Sequence, residues 1–199
     1  TNDTSTSTSG TASTTSGFAT PQALVNAFNT VTDINAYDGS TPVPDLNDFF
    51  VSEDSEKDSF VSFLNDMLQS SGNLLIAVRE KMGQEAVAEL KAMSPVQSNQ
   101  TMMNVDPTSI VQIDEKNAAG REVSGKPMYF RLTDQGWKIF LESKNDPEAD
   151  MASSMMRELL TPMLQVTNTV TQQIKDGEIT TVEQINEALM SAMENMNPF

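Results

Sequence analysis

Cysteine and histidine are both missing from the 199 residues. Their absence excludes disulfides, thiol nucleophiles, imidazole general bases and the two commonest zinc ligands. No cofactor is expected, and no motif or spacing marks a metal site or a catalytic residue. Positive charge is scarce as well: 12 basic residues stand against 28 acidic ones, a formal net charge of −16. Anionic polymers and anionic lipid faces are repelled at long range, so no nucleic-acid partner is expected. Long apolar runs are missing too. Nothing approaches the roughly 20 residues that span a bilayer, so membrane contact is expected only through an N-terminal anchor. What remains, 38% hydrophobic and 20% charged, is a globular composition.

Thr1 to Ser16 contain twelve Thr or Ser residues. Such a stretch buries too little apolar surface to offset the entropy of ordering it, so residues 1–17 read as a disordered tether. The chain opens on Thr rather than Met, and a spacer behind a removed leader suits a secreted, periplasmic or envelope-anchored protein. The expected location is therefore extracytoplasmic.

Thr20-Pro21 followed by Leu24, Ala27, Phe28 and Val31 predicts a helix with Thr as N-cap and Pro in its first turn, ending near Thr32. Asp33 to Pro44 collects turn residues. Leu46, Phe49 and Phe50 suggest one short helical turn. Phe60, Phe63, Leu64, Met67 and Leu68 then recur at helical spacing until Ser70-Ser71-Gly72, and Leu74 to Leu90 continue helically, with a break at Gly83. Ser94 to Asp106 reads as a linker. Strands are expected over Ser109–Glu115 and Arg121–Ser124, joined by a turn at Asn117-Ala118-Ala119-Gly120. The best hairpin is Pro127 to Ser143, with Asp134-Gln135-Gly136 as a three-residue loop that sets Thr133 opposite Trp137. That register puts Tyr129, Arg131, Trp137, Ile139 and Leu141 on one face, and Met128, Phe130, Leu132 and Phe140 on the other. Asn145 to Asp150 is a polar joint. A Met- and Leu-rich helix follows to Lys175, kinked or restarted at Pro162, and a last helix begins near Thr180 or Thr181.

The Thr-Pro helix start, the further helices and the strands ending in Asp134-Gln135-Gly136-Trp137-Lys138-Ile139 resemble the nuclear transport factor 2-like superfamily, particularly its extracytoplasmic bacterial members of unassigned role. The resemblance covers Phe18 to Ser143. It implies an initial helix in the mouth of a curved sheet, with an apolar pocket between them. Glu56–Met93 is longer than the family's compact version, and Glu148–Phe199 has no counterpart there. The superfamily includes ligand carriers, isomerases, dehydratases and binding modules, so it implies no single activity. Its enzymes place a carboxylate or His in the pocket beside a polarising Tyr or acid. Here Asp114, Glu115, Tyr129 and Arg131 are the polar residues on or beside strands.

Asp33 to Gly39 invites a calcium reading, but Tyr37 stands at the third oxygen position, Gly39 is one place late and Pro44 occupies the position of the bidentate Glu. Thirteen Met, many between Met151 and Met196, fit either core packing or an adaptable partner surface. The expected fold is α+β: a curved antiparallel sheet of about four strands packed by N-terminal helices over residues 18–145, with a C-terminal helical extension, 146–199, packed on the sheet. The expected function is non-enzymatic binding or scaffolding, with Phe28, Tyr129, Arg131 and Trp137 as ligand-binding residues for a small apolar ligand or a protein partner. Two alternatives stay open: an isomerase- or hydrolase-type enzyme using a buried carboxylate, and an assembly module acting through the Met-rich C-terminal helices.

Overall fold

A computed structural model describes residues 17–33, 37–93, 105–141 and 147–195. The tether, most of the 94–106 linker and residues 142–146 lie outside these. The first helix, α1 (Pro21–Thr32), forms as its sequence predicts. The Thr20 hydroxyl accepts the Ala23 N–H at 3.1 Å, Pro21 occupies the first turn, and Leu24, Val25 and Phe28 are buried along one stripe. A single 3-10 turn, Leu46–Asp48, leads into a short strand, β1 (Phe50–Ser52).

Next comes α2 (Ser55–Met82), which runs unbroken through Ser70-Ser71-Gly72, and Gly83 separates it from α3 (Gln84–Met93). The expected interruption at Gly72 is absent because this glycine serves a tertiary purpose. A Cβ there would stand 2.3 Å from Val43 Cγ2, so its bare backbone lets the preceding loop lie against the helix.

Four further strands complete the sheet: β2 (Val105–Gln112), β3 (Asn117–Glu122), β4 (Pro127–Thr133) and β5 (Gly136–Leu141). The sheet is open, with strand order β1-β5-β4-β3-β2. Among the described residues it therefore has five strands rather than about four, and it is mixed, because β1 pairs parallel with β5 while the other pairs are antiparallel. The expected turn at Asn117–Gly120 is instead strand. The β2–β3 turn is built by Asp114, whose carboxylate accepts the backbone N–H groups of Lys116 at 2.7 Å and Asn117 at 2.8 Å.

The last hairpin also differs from expectation. Gly136, at φ 94°, is the first residue of β5 and pairs with Thr133, so Leu132 faces Trp137. Relative to the expected register this is a shift of one residue, and a one-residue shift moves every side chain of one strand to the other face. Met128 and Phe130 thus share a face with Trp137 and Ile139, all buried, while Tyr129, Arg131, Lys138 and Phe140 share the other.

The C-terminal half is two helices, α4 (Pro147–Asp176) and α5 (Val182–Asn195). The first starts inside the expected 145–150 joint and continues through Pro162. The second is held by a reciprocal cap, with Thr180 N–H donating to Gln184 Oε1 at 2.9 Å and Gln184 N–H to the Thr181 hydroxyl at 3.3 Å.

Two cores result. Leu24, Val25 and Phe28 of α1 meet Met128, Phe130, Trp137 and Ile139 of the sheet, with Leu46, Phe49 and Leu68 closing the edge. In the second, Leu74, Leu75 and Val78 of α2 and Val87 and Leu90 of α3 meet Val170 and Ile174 of α4 and Val182 and Ile185 of α5. Among the described residues, no strand residue contributes to the second core. The C-terminal helices therefore bury their apolar side chains against α2 and α3, in place of the expected packing on the sheet.

Candidate functional site

The four residues expected to bind a ligand do not converge. Phe28 is 1% exposed, with its ring centroid 5.7 Å from that of Phe49 and 5.5 Å from that of Phe50. Trp137 lies in the same core, and its backbone N–H donates to the Phe18 carbonyl at 2.9 Å. Tyr129 and Arg131 sit on the opposite sheet face. There the Arg131 guanidinium lies 3.6 Å from the Phe140 ring centroid and pairs with the exposed Glu53 carboxylate. Nothing in the local sequence reveals this division, because it follows from the register of one hairpin.

The polar candidates are turn and surface residues. Asp114 is exposed, and its carboxyl is held below the usual range, first by hydrogen bonds from the Asn117 side chain and then by the Lys116 backbone N–H. A general base working near neutral pH needs the opposite shift. Glu115 is exposed. In the loop that invites calcium, Asp38 accepts the Ser40 N–H at 2.9 Å and pairs with Arg79 at 2.8 Å. Its oxygens therefore serve the fold, and among the described residues no group of three or more Asp and Glu side chains is placed to hold a metal ion.

The feature that stands out is apolar. Along the first half of α4, Met151, Met155 and Leu159 recur every fourth residue and are 66%, 52% and 70% exposed. Met156 and Met163 extend the same stripe at 45% and 37%. Side chains four apart lie one above the other on a helix, so these form a ridge rather than scattered exposures. The C-terminal continuation of α4 is buried, with Val166, Val170 and Ile174 packed against α2, α3 and α5. The sequence pattern reads most simply as interior packing, and for Val170 and Ile174 that holds. For Met151 to Met163 it does not.

The cause is length. At 1.5 Å per residue α4 spans about 45 Å and α5 about 21 Å, from 30 and 14 residues. Joined by the short turn at Gly177, the second helix cannot cover the whole of the first. The Asp176-Gly177 stop and the Thr181 start mark where the two helices join but not how far each extends, so the mismatch is not legible in the sequence. Between Met151 and Ile174 only Arg157 and Glu158 carry charge.

Neither protein-family models, curated proteins nor solved structures give a match to this chain.

Proposed function

We propose that the protein is a non-enzymatic docking module whose working surface is the exposed Met/Leu ridge on the first half of α4. One observation carries this reading: Met151, Met155 and Leu159 stand largely in water on a regular helix. Leaving such a ridge exposed in a monomer forgoes hydrophobic stabilisation of about 25 cal/mol per Å² that a partner restores. Methionine suits the role, because its unbranched, polarisable side chain adapts to the opposing surface. Phe28 and Trp137 act in this reading as packing residues. The resemblance to nuclear transport factor 2-like proteins is retained as a proposal for residues 18–143, supported by the placement of α1 against the sheet. The hydroxyl-rich composition of residues 1–16 supports a location outside the cytoplasm.

Substitution separates this reading from a core role. Leu159→Gln is expected to change unfolding free energy by no more than about 0.5 kcal/mol, as at other surface positions. A buried leucine exchanged for a polar residue costs several times as much. Urea denaturation followed by circular dichroism gives the answer, and a loss above about 2 kcal/mol would assign Leu159 to the interior.

A further inference from the structure

The geometry points to a second copy of this chain as the occupant of the α4 ridge, an inference that rests on the docking role proposed above. Along the ridge two copies meet little like charge, although Glu148 and Asp150 stand in the first turn of α4. Each carries −16, yet along α4 from Met151 to Ile174 only Arg157 and Glu158 are charged. The same negative charge disfavours an anionic lipid surface.

The ridge is also self-complementary. Two α4 helices placed antiparallel about a two-fold axis at Leu159 bring Met155 of one copy against Met163 of the other, and Leu159 against itself. The facing stretch is short, because from Val166 onward the same stripe of each copy is already packed against its own α2, α3 and α5. Such an isologous contact closes at two copies and leaves no further ridge for chain growth. Its composition, Met-rich and poor in charge, is that of an interface core.

The absence of cysteine makes the test clean. The full 199-residue chain is expected to sediment as a dimer at high concentration and as a monomer on dilution, with association strengthening as salt screens the mutual repulsion. Leu159→Glu is expected to weaken the dimer roughly tenfold or more. A single Leu159→Cys substitution is expected to form an intermolecular disulfide under mild oxidation, because a residue on the two-fold axis meets its own copy at bridging distance. If Leu159→Glu loses helix content, the disulfide alone decides. Peroxide oxidation mapped by mass spectrometry separates the remaining cases. A chain that stays monomeric while Met151 and Met155 oxidise much faster than the buried Met128 overturns self-pairing and leaves the docking surface open to another partner. A monomer with these methionines protected overturns both readings. A dimer that survives Leu159→Glu, and that forms no disulfide when it carries Leu159→Cys, uses another face and also overturns the inference. Association that weakens with salt does so as well.

Discussion

Asp38 shows how much a single partly exposed carboxylate can organise. Its oxygens accept the Ser40 N–H at 2.9 Å and a hydrogen bond from Arg79 at 2.8 Å, and Arg79 also reaches the Asp38 carbonyl at 3.1 Å. The loop after α1 is thereby fastened to α2. The Ser40 hydroxyl and backbone N–H, followed by Arg79, hold the Asp38 carboxyl down at about 2, from an ordinary value of 3.8. Folding thus favours the ionised form. The contribution is complete above the unfolded value and disappears as pH falls through the folded one, that is, between about 4 and about 2. Comparing Asp38→Asn with the unaltered chain, the thermal midpoints should differ at pH 6 and converge near pH 2. The gap should persist in 1 M salt, because hydrogen bonds to Ser40 rather than the Arg79 charge contribute most. A gap that salt erases would reassign the effect to the ion pair.

Gly72 sits where local preference and tertiary contact oppose one another within α2. Replacing a mid-helix glycine with alanine gains roughly 1 kcal/mol of helix preference. Here the added methyl would meet Val43 Cγ2 at 2.3 Å, and Val43 is a buried, β-branched residue with little rotamer freedom. Overpacking of this kind costs about 1–3 kcal/mol, so the clash outweighs the preference. Gly72→Ala should therefore destabilise, and adding Val43→Ala should recover part of the loss, as a double-mutant cycle in urea will show. A stabilised Gly72→Ala would mean that the loop moves aside freely. The sequence reading of a break at Ser70-Ser71-Gly72 goes wrong for the same reason, since the glycine's purpose lies in Val43, far back along the chain. The start of α1 is plain in the sequence because Thr20, Pro21 and the Leu24–Phe28 stripe act locally. The short strand β1 is hidden because its pairing partner, β5, is remote. Asn117–Gly120 imitates a turn because Asn and Gly are turn formers, yet Asp114 makes the turn and leaves them to pair with β4. The register at Gly136 decides the ligand site expected from sequence: moved by one residue, it assembles Tyr129, Arg131 and Trp137 on a common face that the folded hairpin does not have.

The two cores are bound together by the continuity of α2. Leu68 packs in the first core and Leu74 in the second, about 9 Å apart along one helix. Between them Ser70, 4% exposed, donates to Asn168 Oδ1 at 2.7 Å and ties α2 to α4. No loop separates the cores along α2, so unfolding the helical one frays the rod on which the sheet-bearing one also rests. The buried half of the Met- and Leu-rich C-terminal pattern is thus structural, and the exposed half is what the sequence alone cannot separate from it, since both have the same spacing. This arrangement makes a prediction about cooperativity. Ile174 is fully buried in the second core, and Ile174→Ala should cost about 2–5 kcal/mol. Trp137, the one tryptophan of the chain, lies in the first core and reports its unfolding by fluorescence. If α2 couples the cores, the fluorescence midpoint in urea should fall together with the helical circular-dichroism midpoint, in one transition. Should the Trp137 transition stay in place while the helical signal shifts, the cores unfold independently, and the continuity of α2 does not transmit stability between them.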